Sequence, residues 1–236
     1  MSPVLRADAV LFDKDGTLFD FTRTWGAWAQ EVMHDLAGGD AALVAAMARE
    51  LRFDLATGSF LKDSPVIAGT SREAADCLAR GLGRADSAAL EGYLSEAAAR
   101  APLAEAVPLA PLLDALRGAG LRLGVMTNDN EAVALAHLRQ AGVGDRFDFV
   151  AGFDSGHGAK PSPAPLLAFA EALGLPPGRV VMVGDSTHDL QAGRAAGMMT
   201  VAVLTGLAGA EELRPLADAV LPDIGHLPDW LSAVPA

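Results

Sequence analysis

The 236-residue sequence is poor in cysteine and in basic residues. Its single cysteine, Cys77, excludes an intrachain disulfide. Its 18 lysines and arginines stand against 30 aspartates and glutamates, which gives a formal net charge of −12. A surface this acidic repels polyanions, which argues against nucleic acid and anionic membrane as partners. A small anionic substrate would need a local cation to overcome the same repulsion.

Long apolar runs are also missing. No uninterrupted apolar stretch approaches the roughly 20 residues that a bilayer-spanning helix needs. The first residues lack the basic and apolar regions of a signal peptide. Together with the lone cysteine, these features favour a cytoplasmic protein. Hydrophobic residues still make up 51% of the chain, so we expect a sizeable buried core.

Short apolar runs alternate with helical patterns over most of the chain. Continuous apolar runs predict strands buried on both faces, and their alternation with helices is typical of a parallel sheet. The predicted strands are 10–12, 123–126, 149–151, 180–183, 201–204 and 219–221. The predicted helices between them are 109–119, 131–141, 163–173 and 189–196. Glycine follows each of these helices, where a left-handed cap favours a residue without Cβ.

The interval 19–106 interrupts this rhythm. It has four helical patterns, at 25–36, 41–51, 71–82 and 87–99, and its segment 53–70 is predicted to be a loop. The sequence therefore predicts an α/β protein whose Rossmann-like core comprises residues 1–18 and 107–236. Residues 19–106 form an inserted α-helical domain in this interpretation.

Polar residues follow three of the predicted strands. They form the segments 13–17, 127–129 and 184–189. Sites in parallel sheets lie at the carboxyl ends of strands, so we expect the three segments to converge. A single aspartate after a strand is most often a turn or cap residue, and only the joint pattern favours a site. The clustered carboxylates predict Mg²⁺, since no histidine and cysteine cluster indicates zinc.

These residues resemble the four motifs of the haloacid dehalogenase superfamily, in order. The first motif stands as Asp13-Lys14-Asp15-Gly16-Thr17, and the fourth as Gly184-Asp185 with Asp189. Thr127 resembles the second motif and Lys160 the third. The insertion resembles the family's α-helical cap of the C1 type, as in phosphoglycolate phosphatases. The resemblance implies a Rossmann-like core and a Mg²⁺-dependent phosphatase acting on a small, phosphoglycolate-like metabolite.

The resemblance also assigns roles at the reacting centre. Asp13 would attack phosphorus to form an aspartyl-phosphate, and Asp15 would serve as general acid and base. Asp15 favours phosphate transfer over dehalogenation, because a halide leaves without a proton. The predicted metal ligands are Asp13, Asp15 through its backbone carbonyl, Asp185 and Asp189, the last through water or by orienting Lys160.

The predicted phosphate site is made of Gly16, Thr17, Thr127, Asn128 and Lys160. Thr127 and Lys160 also count as catalytic in this prediction. The resemblance implies that the Thr127 hydroxyl holds phosphate oxygens and that Lys160 neutralises the nucleophile and the phosphoryl charge.

Substrate choice is expected to come from the insertion. Lys62, in the loop 53–70, is a candidate substrate-binding cation, and its alternative role is a surface ion pair. An inward-facing cation would suit a carboxylated phosphate, whereas an apolar interior would suit a larger leaving group. We also expect hinges near 19–20 and 105–107.

Two other functions remain open on the sequence alone. One is a phosphomutase, which also uses the Asp15 position. The other is a non-catalytic phosphate-binding regulatory protein of the same fold. The sequence leaves open whether the chain is a monomer or a homodimer.

Overall fold

The computed structural model describes residues 5–67, 69–84 and 86–232. The strands are β1 (Ala9–Phe12), β2 (Phe53–Asp54), β3 (Ser59–Phe60), β4 (Arg122–Met126), β5 (Phe149–Ala151), β6 (Val180–Gly184), β7 (Met199–Val203) and β8 (Ala219–Leu221). The first helices are α1 (Phe21–Ala37), α2 (Ala41–Leu51), α3 (Ser71–Gly81), α4 (Ala88–Ala98) and α5 (Leu109–Gly118). The others are α6 (Glu131–Gln140), α7 (Ala164–Leu173), α8 (Thr187–Ala196), α9 (Ala210–Leu213) and α10 (Leu227–Ser232).

Six strands form one parallel sheet in the order β5-β4-β1-β6-β7-β8. The central strand β1 pairs with β4 on one side and with β6 on the other, so that Ala9 lies opposite both Arg122 and Val180. This is the α/β, Rossmann-like core that the sequence predicts. Its order places the ends of β4, β1 and β6 next to one another.

Helices cover both faces of the sheet. Val10 and Phe12 point to the face covered by α5 and α10, whereas Ala9 and Leu11 point to the face covered by α7 and α8. This alternation follows from the two-residue period of a strand. It also explains why β1 is apolar at every position, since both of its faces are buried.

The segment between β1 and β4 has a hydrophobic cluster of its own. Met33, Met47 and Leu78 lie in this cluster, which joins α1 to α4. The two chain crossings to the sheet run side by side: Asp20 N–H donates to Ala104 O over 2.8 Å, and Ala106 N–H donates to Leu18 O over 3.0 Å. The division of the chain at 18/19 and 106/107 stays a prediction, and this paired crossing lies beside it.

The structure corrects several predicted boundaries. The segment 53–70 is not entirely loop, because β2 and β3 pair antiparallel within it. Helix α1 begins at Phe21 rather than at 25, since the Asp20 side chain caps it by accepting from Arg23 N–H. Helix α8 begins at Thr187 rather than at 189, with Ser186 as its cap. The strand predicted at 201–204 is β7, which begins two residues earlier.

In the described part of the chain, no helix combines the length and the apolar character needed to cross a membrane.

Candidate active site

Three neighbouring strands deliver the predicted site residues to one place. Asp13 directly follows β1, and its N–H donates to Val183 O of β6 over 2.9 Å. Thr127 and Asn128 follow β4, and Asp185 follows β6. All four are buried, with between 2% and 8% of their surface exposed. The structure therefore brings these residues together at the carboxyl edge of the sheet.

Three carboxylates form a buried cluster there. Oxygen atoms of Asp13, Asp185 and Asp189 all lie within 4.8 Å of one another. Burial raises the pKa of Asp13 to about 7, with Lys160 opposing this shift and Asp189 adding to it. Burial, followed by the charges of Asp13 and Asp189, also raises the pKa of Asp185 well above its usual range. A hard cation would relieve this repulsion, and an oxygen-only donor set fits Mg²⁺.

Lys160 supplies one positive charge to the cluster. Its Nζ lies 2.7 Å from Asp13 Oδ1 and 2.6 Å from Asp189 Oδ1, and the residue is 5% exposed. Burial alone would lower the pKa of Lys160, but Asp13 and Asp189 outweigh this effect and raise it. Lys160 is therefore charged, and it orients the carboxylate of Asp13.

Asp189 is held from both sides. Its Oδ2 accepts from the N–H and the hydroxyl of Ser186, at 3.0 and 2.7 Å, while its Oδ1 accepts from Lys160. The pair Ser186 and Asp189 is a capping box at the start of α8. The N-terminal cap of α8 thus holds the carboxylate of Asp189, and that carboxylate in turn holds the Lys160 ammonium.

Asp185 lies in a cradle made by two glycines. An added Cβ on Gly16 would come within 2.3 Å of Asp185 Oδ2, and one on Gly206 within 1.7 Å. Gly16 also has a φ of +79°, which only glycine adopts easily. Thr17 Oγ1 donates to Asp185 Oδ1 over 3.1 Å. Gly16 and Thr17 therefore lie beside the carboxylate cluster and shape it.

The side chain of Asn128, which follows β4, is hydrogen-bonded to the backbone of Lys160, which lies before α7. Its Nδ2 donates to Lys160 O and its Oδ1 accepts from Lys160 N–H, both at 2.9 Å. The side chain of Asn128 thus positions the backbone of Lys160. Thr127 Oγ1 accepts from Asp129 N–H over 3.1 Å. Thr127 also lines the cavity that the three clustered carboxylates line.

The carboxylate of Asp15 lies apart from the cluster. Lys14 Nζ lies 2.8 Å from its Oδ1 and 2.7 Å from its Oδ2, and Trp25 Nε1 donates to Oδ1 over 2.8 Å. Trp25 belongs to α1, so a residue of the insertion holds the predicted acid and base. The side chain of Asp15 is thus oriented toward the insertion rather than toward Asp185.

Lys14 is a functional candidate that the sequence reasoning missed. It is completely buried, and its Nζ also lies 3.1 Å from His137 Nδ1 and 3.3 Å from Asp129 Oδ2. Asp129 Oδ2 accepts no hydrogen bond in this arrangement. Burial opposes the charge of Lys14, but Asp15 and Asp129 raise its pKa overall. No signal in one sequence separates such a lysine from an exposed one at the variable position of the motif.

His137 extends this network to the insertion. Burial, and then the charge of Lys14, lowers its pKa. The neutral ring accepts from Lys14 at Nδ1, and Nε2 donates to Ala98 O of α4 over 2.7 Å. His137 could not be singled out from the sequence, because a helical histidine with apolar neighbours has no distinguishing pattern.

One cavity joins the sheet edge to the insertion. Its lining includes Asp13, Asp15, Thr127, Lys160 and Asp185, together with many residues of α1, α3 and α4. Its volume is about 120 Å³, whereas one water needs roughly 10–15 Å³ on this measure. The cavity therefore has room for a small molecule.

Lys62 does not reach this cavity. Its side chain is exposed on the loop after β3, and it is absent from the described lining. The structure therefore places this predicted substrate contact away from the other site residues. Lys62 lies just after β3, where the short hairpin of β2 and β3 ends, and its side chain is exposed. The sequence pattern contains no information about where that side chain points.

Fold and site together define a parallel α/β protein whose pocket pairs a carboxylate cluster with a buried lysine, an arrangement suited to a hard cation and an anionic group. Comparison with known proteins is consistent with this class. The chain belongs to the haloacid dehalogenase-like hydrolases, whose family model matches residues 7–197.

Two curated relatives are both named phosphoglycolate phosphatase. The protein from Rhodospirillum rubrum is 36% identical over 94% of this chain and 90% of its own length. The protein from Neisseria meningitidis is 44% identical, but over 48% of this chain, and the chain spans about half of that relative's length (49%). A solved HAD family hydrolase from Deinococcus radiodurans, with bound phosphate and sodium, has a TM-score of 0.67 and 26% identity, and the match covers 97% of this chain and 96% of that one.

Proposed function

We propose that this hydrolase is a Mg²⁺-dependent phosphatase that cleaves the phosphate ester of a small metabolite through an aspartyl-phosphate. The observation that carries the proposal is the position of Asp13. Its carboxylate lies against the Lys160 ammonium inside a three-carboxylate cluster, and Asp13 and Asp15 line the same cavity. A nucleophile, a fixed cation and a separate acid are what phosphoryl transfer requires.

In the first step, an oxygen of Asp13 attacks phosphorus and the bond from phosphorus to the leaving oxygen breaks. Lys160 holds the attacking carboxylate in place and stabilises the charge on the phosphoryl oxygens. Asp15 donates its proton to the departing alkoxide. Thr127 and Asn128 lie beside Lys160 and are suited to holding the phosphoryl group.

In the second step, Asp15 takes a proton from a water molecule, which attacks phosphorus. The bond from phosphorus to the Asp13 oxygen breaks, and inorganic phosphate leaves. Asp13 is then restored as a carboxylate. The position of the Asp15 carboxylate supports this division of labour, because Asp15 lies outside the ion pair that joins Asp13 to Lys160.

Asp13 and Asp185 would hold the Mg²⁺ ion, with Asp189 nearby and with the Asp15 carbonyl as a further ligand. When bound, the ion supplies positive charge to the phosphoryl oxygens and offsets repulsion among the carboxylates. The bound ion would also offset, at the site, the electrostatic repulsion between a phosphate ester and a protein with a net charge of −12.

We propose small phosphorylated metabolites as the substrate class, and a role for residues 19–106 as a cap over them. Phosphoglycolate is the reference substrate, because relatives carry its name. The buried, unpaired Cys77 supports a reducing, cytoplasmic setting.

Asp13→Asn tests the proposal directly. We expect phosphate release from a panel of phosphate monoesters to need Mg²⁺ and to stop with a chelator. The variant should lose at least about three orders of magnitude in kcat, as expected when a nucleophile is removed. Asp145→Asn is the matched control, because the Asp145 side chain is 84% exposed and lies outside the cavity lining.

The other two functions predict different results in the same assay. A phosphomutase would transfer the phosphoryl group to a sugar phosphate faster than to water. A binding-only protein would bind phosphate esters without releasing phosphate, and Asp13→Asn would not change that. Equal phosphate release by the Asp13 variant and the parent would contradict the proposal.

A further inference from the structure

The part of the cavity beyond the carboxylate cluster is walled by apolar side chains. They come from four parts of the insertion, namely α1, α2, α4 and the loop before α3, so the wall is not confined to one element. The wall residues used below are Phe21, Trp28, Val32, Leu51, Ile67 and Leu94.

The insertion offers this cavity no positive charge. Its eight lysines and arginines are all exposed, and none belongs to the lining. They are Arg23, Arg49, Arg52, Lys62, Arg72, Arg80, Arg84 and Arg100. Several are engaged elsewhere at the surface, as Arg52 is with Asp63 over 2.6 Å.

The core offers no spare cation either. Among the described lining residues, Lys160 is the one lysine or arginine, and Asp13 and Asp189 already hold it. Asp15 and Asp129 also line the cavity. A second carboxylate on the substrate would therefore lose water, gain no lysine or arginine partner and face two acids.

We infer that the substrate is a phosphate monoester with an uncharged, predominantly apolar leaving group larger than glycolate. This inference rests on the proposed phosphatase function. Trp28 is part of this wall, and its buried Nε1 has no hydrogen-bond partner among the described residues.

Matched esters test the inference. Ethyl phosphate differs from phosphoglycolate by a methyl group in place of the carboxylate. We expect ethyl phosphate to exceed phosphoglycolate in kcat/KM. Butyl phosphate should exceed ethyl phosphate roughly fifteenfold, because it has two more methylenes and each buried methylene contributes about fourfold.

Two substitutions to lysine test whether the missing positive charge on the cavity wall causes this substrate preference. Ile67→Lys places a cation on the cavity wall, so the ratio of kcat/KM for phosphoglycolate over butyl phosphate should rise at least about tenfold. Leu61→Lys is the control: Leu61 lies on the same loop, is 38% exposed and does not line the cavity. Its ratio should match that of the parent.

Binding without turnover separates this inference from the phosphatase proposal. Propylphosphonate and 3-phosphonopropionate are non-cleavable analogues of ethyl phosphate and phosphoglycolate. With Mg²⁺ present, calorimetry should show tighter binding of propylphosphonate, whether or not any ester is cleaved. Tighter binding of 3-phosphonopropionate, or faster cleavage of phosphoglycolate than of butyl phosphate, would overturn the inference while leaving the phosphatase proposal intact.

Discussion

At the scale of single residues, the least expected feature is the buried charge of Lys14. Its ammonium contacts both oxygens of Asp15, and Trp25 holds one of them as well. Two groups thus fix the direction of a carboxylate that must give and take protons. Lys14 touches neither the cluster of Asp13 and Asp185 nor the apolar wall, so its expected role is to position Asp15.

Lys14→Met should reduce kcat by about 10²-fold for alkyl phosphates, a loss of the size expected when general acid catalysis fails. The loss should be smaller for p-nitrophenyl phosphate, because p-nitrophenolate leaves without needing a proton. Initial rates with both esters measure the difference. Lys62→Met is the control, since Lys62 is exposed outside the cavity. An equal loss with both esters would indicate a structural role for Lys14 instead.

The sequence was informative about individual site residues where their order along the chain was enough. Asp13, Thr127, Lys160 and Asp185 could be proposed as one group because each follows a strand or precedes a helix, and the structure places them around one cavity. The environment of Asp15 could not, since it depends on contacts with Trp25 from another part of the fold. The outward position of the Lys62 side chain could not be predicted either, because it too depends on the tertiary structure.

At the scale of elements, buried strands and well-capped helices were the predictable part. The strand β5 and the helix α2 have the predicted bounds, because a continuous apolar run or a helical period fills each of them. The hairpin of β2 and β3 was missed, since two residues per strand carry no period. The start of α8 was missed because Ser186 and Asp189 looked like site residues, while they also cap the helix.

Asp148, which directly precedes β5, links that strand to the neighbouring strand β4. Its Oδ2 accepts from Leu123 N–H of β4 and lies 3.0 Å from Arg122 Nε. Burial alone would raise its pKa, but the bonds to Arg122 and Leu123 lower it overall. Because the pKa is lower in the folded state, Asp148 stabilises the fold above its unfolded pKa of about 3.9.

Asp148→Asn should therefore lower the free energy of unfolding by about 1 kcal/mol at pH 7. The difference from the parent should shrink as pH falls below about 4, because the parent then loses the charged form too. Urea denaturation at pH 7 and at lower pH measures it. Asp145→Asn serves as the exposed control, and a difference that grows toward acid pH would contradict the assignment.

At the scale of the whole molecule, two hydrophobic clusters meet across one cavity. The cluster around Met47 stabilises the insertion, and the cluster around Val10 stabilises the sheet. Between them lie polar links, among them Ser71 Oγ donating to Asp129 Oδ1 over 2.8 Å. The cluster around Met47 also includes Val133 of α6. Movement of residues 19–106 about hinges at 19–20 and 105–107 stays a prediction.

The net charge of −12 should act on the metal as well as on the substrate. An acidic protein attracts a divalent cation over long distances, and salt screens that attraction. Between 0.01 and 1 M ionic strength the screening length falls from about 30 to about 3 Å. We therefore expect the Kd for Mg²⁺ to rise at least about tenfold over this range.

Calorimetric titration with Mg²⁺ in tetramethylammonium chloride measures this effect, since that cation is too large to compete in the carboxylate cluster. A variant with Asp145→Asn, Glu171→Gln and Asp229→Asn removes three exposed charges outside the cavity lining. It should bind Mg²⁺ more weakly than the parent at low salt and equally at high salt, because only the long-range field has changed. A Kd independent of salt in the parent would mean that the carboxylate cluster alone sets the affinity, and the acidic surface would then need another explanation.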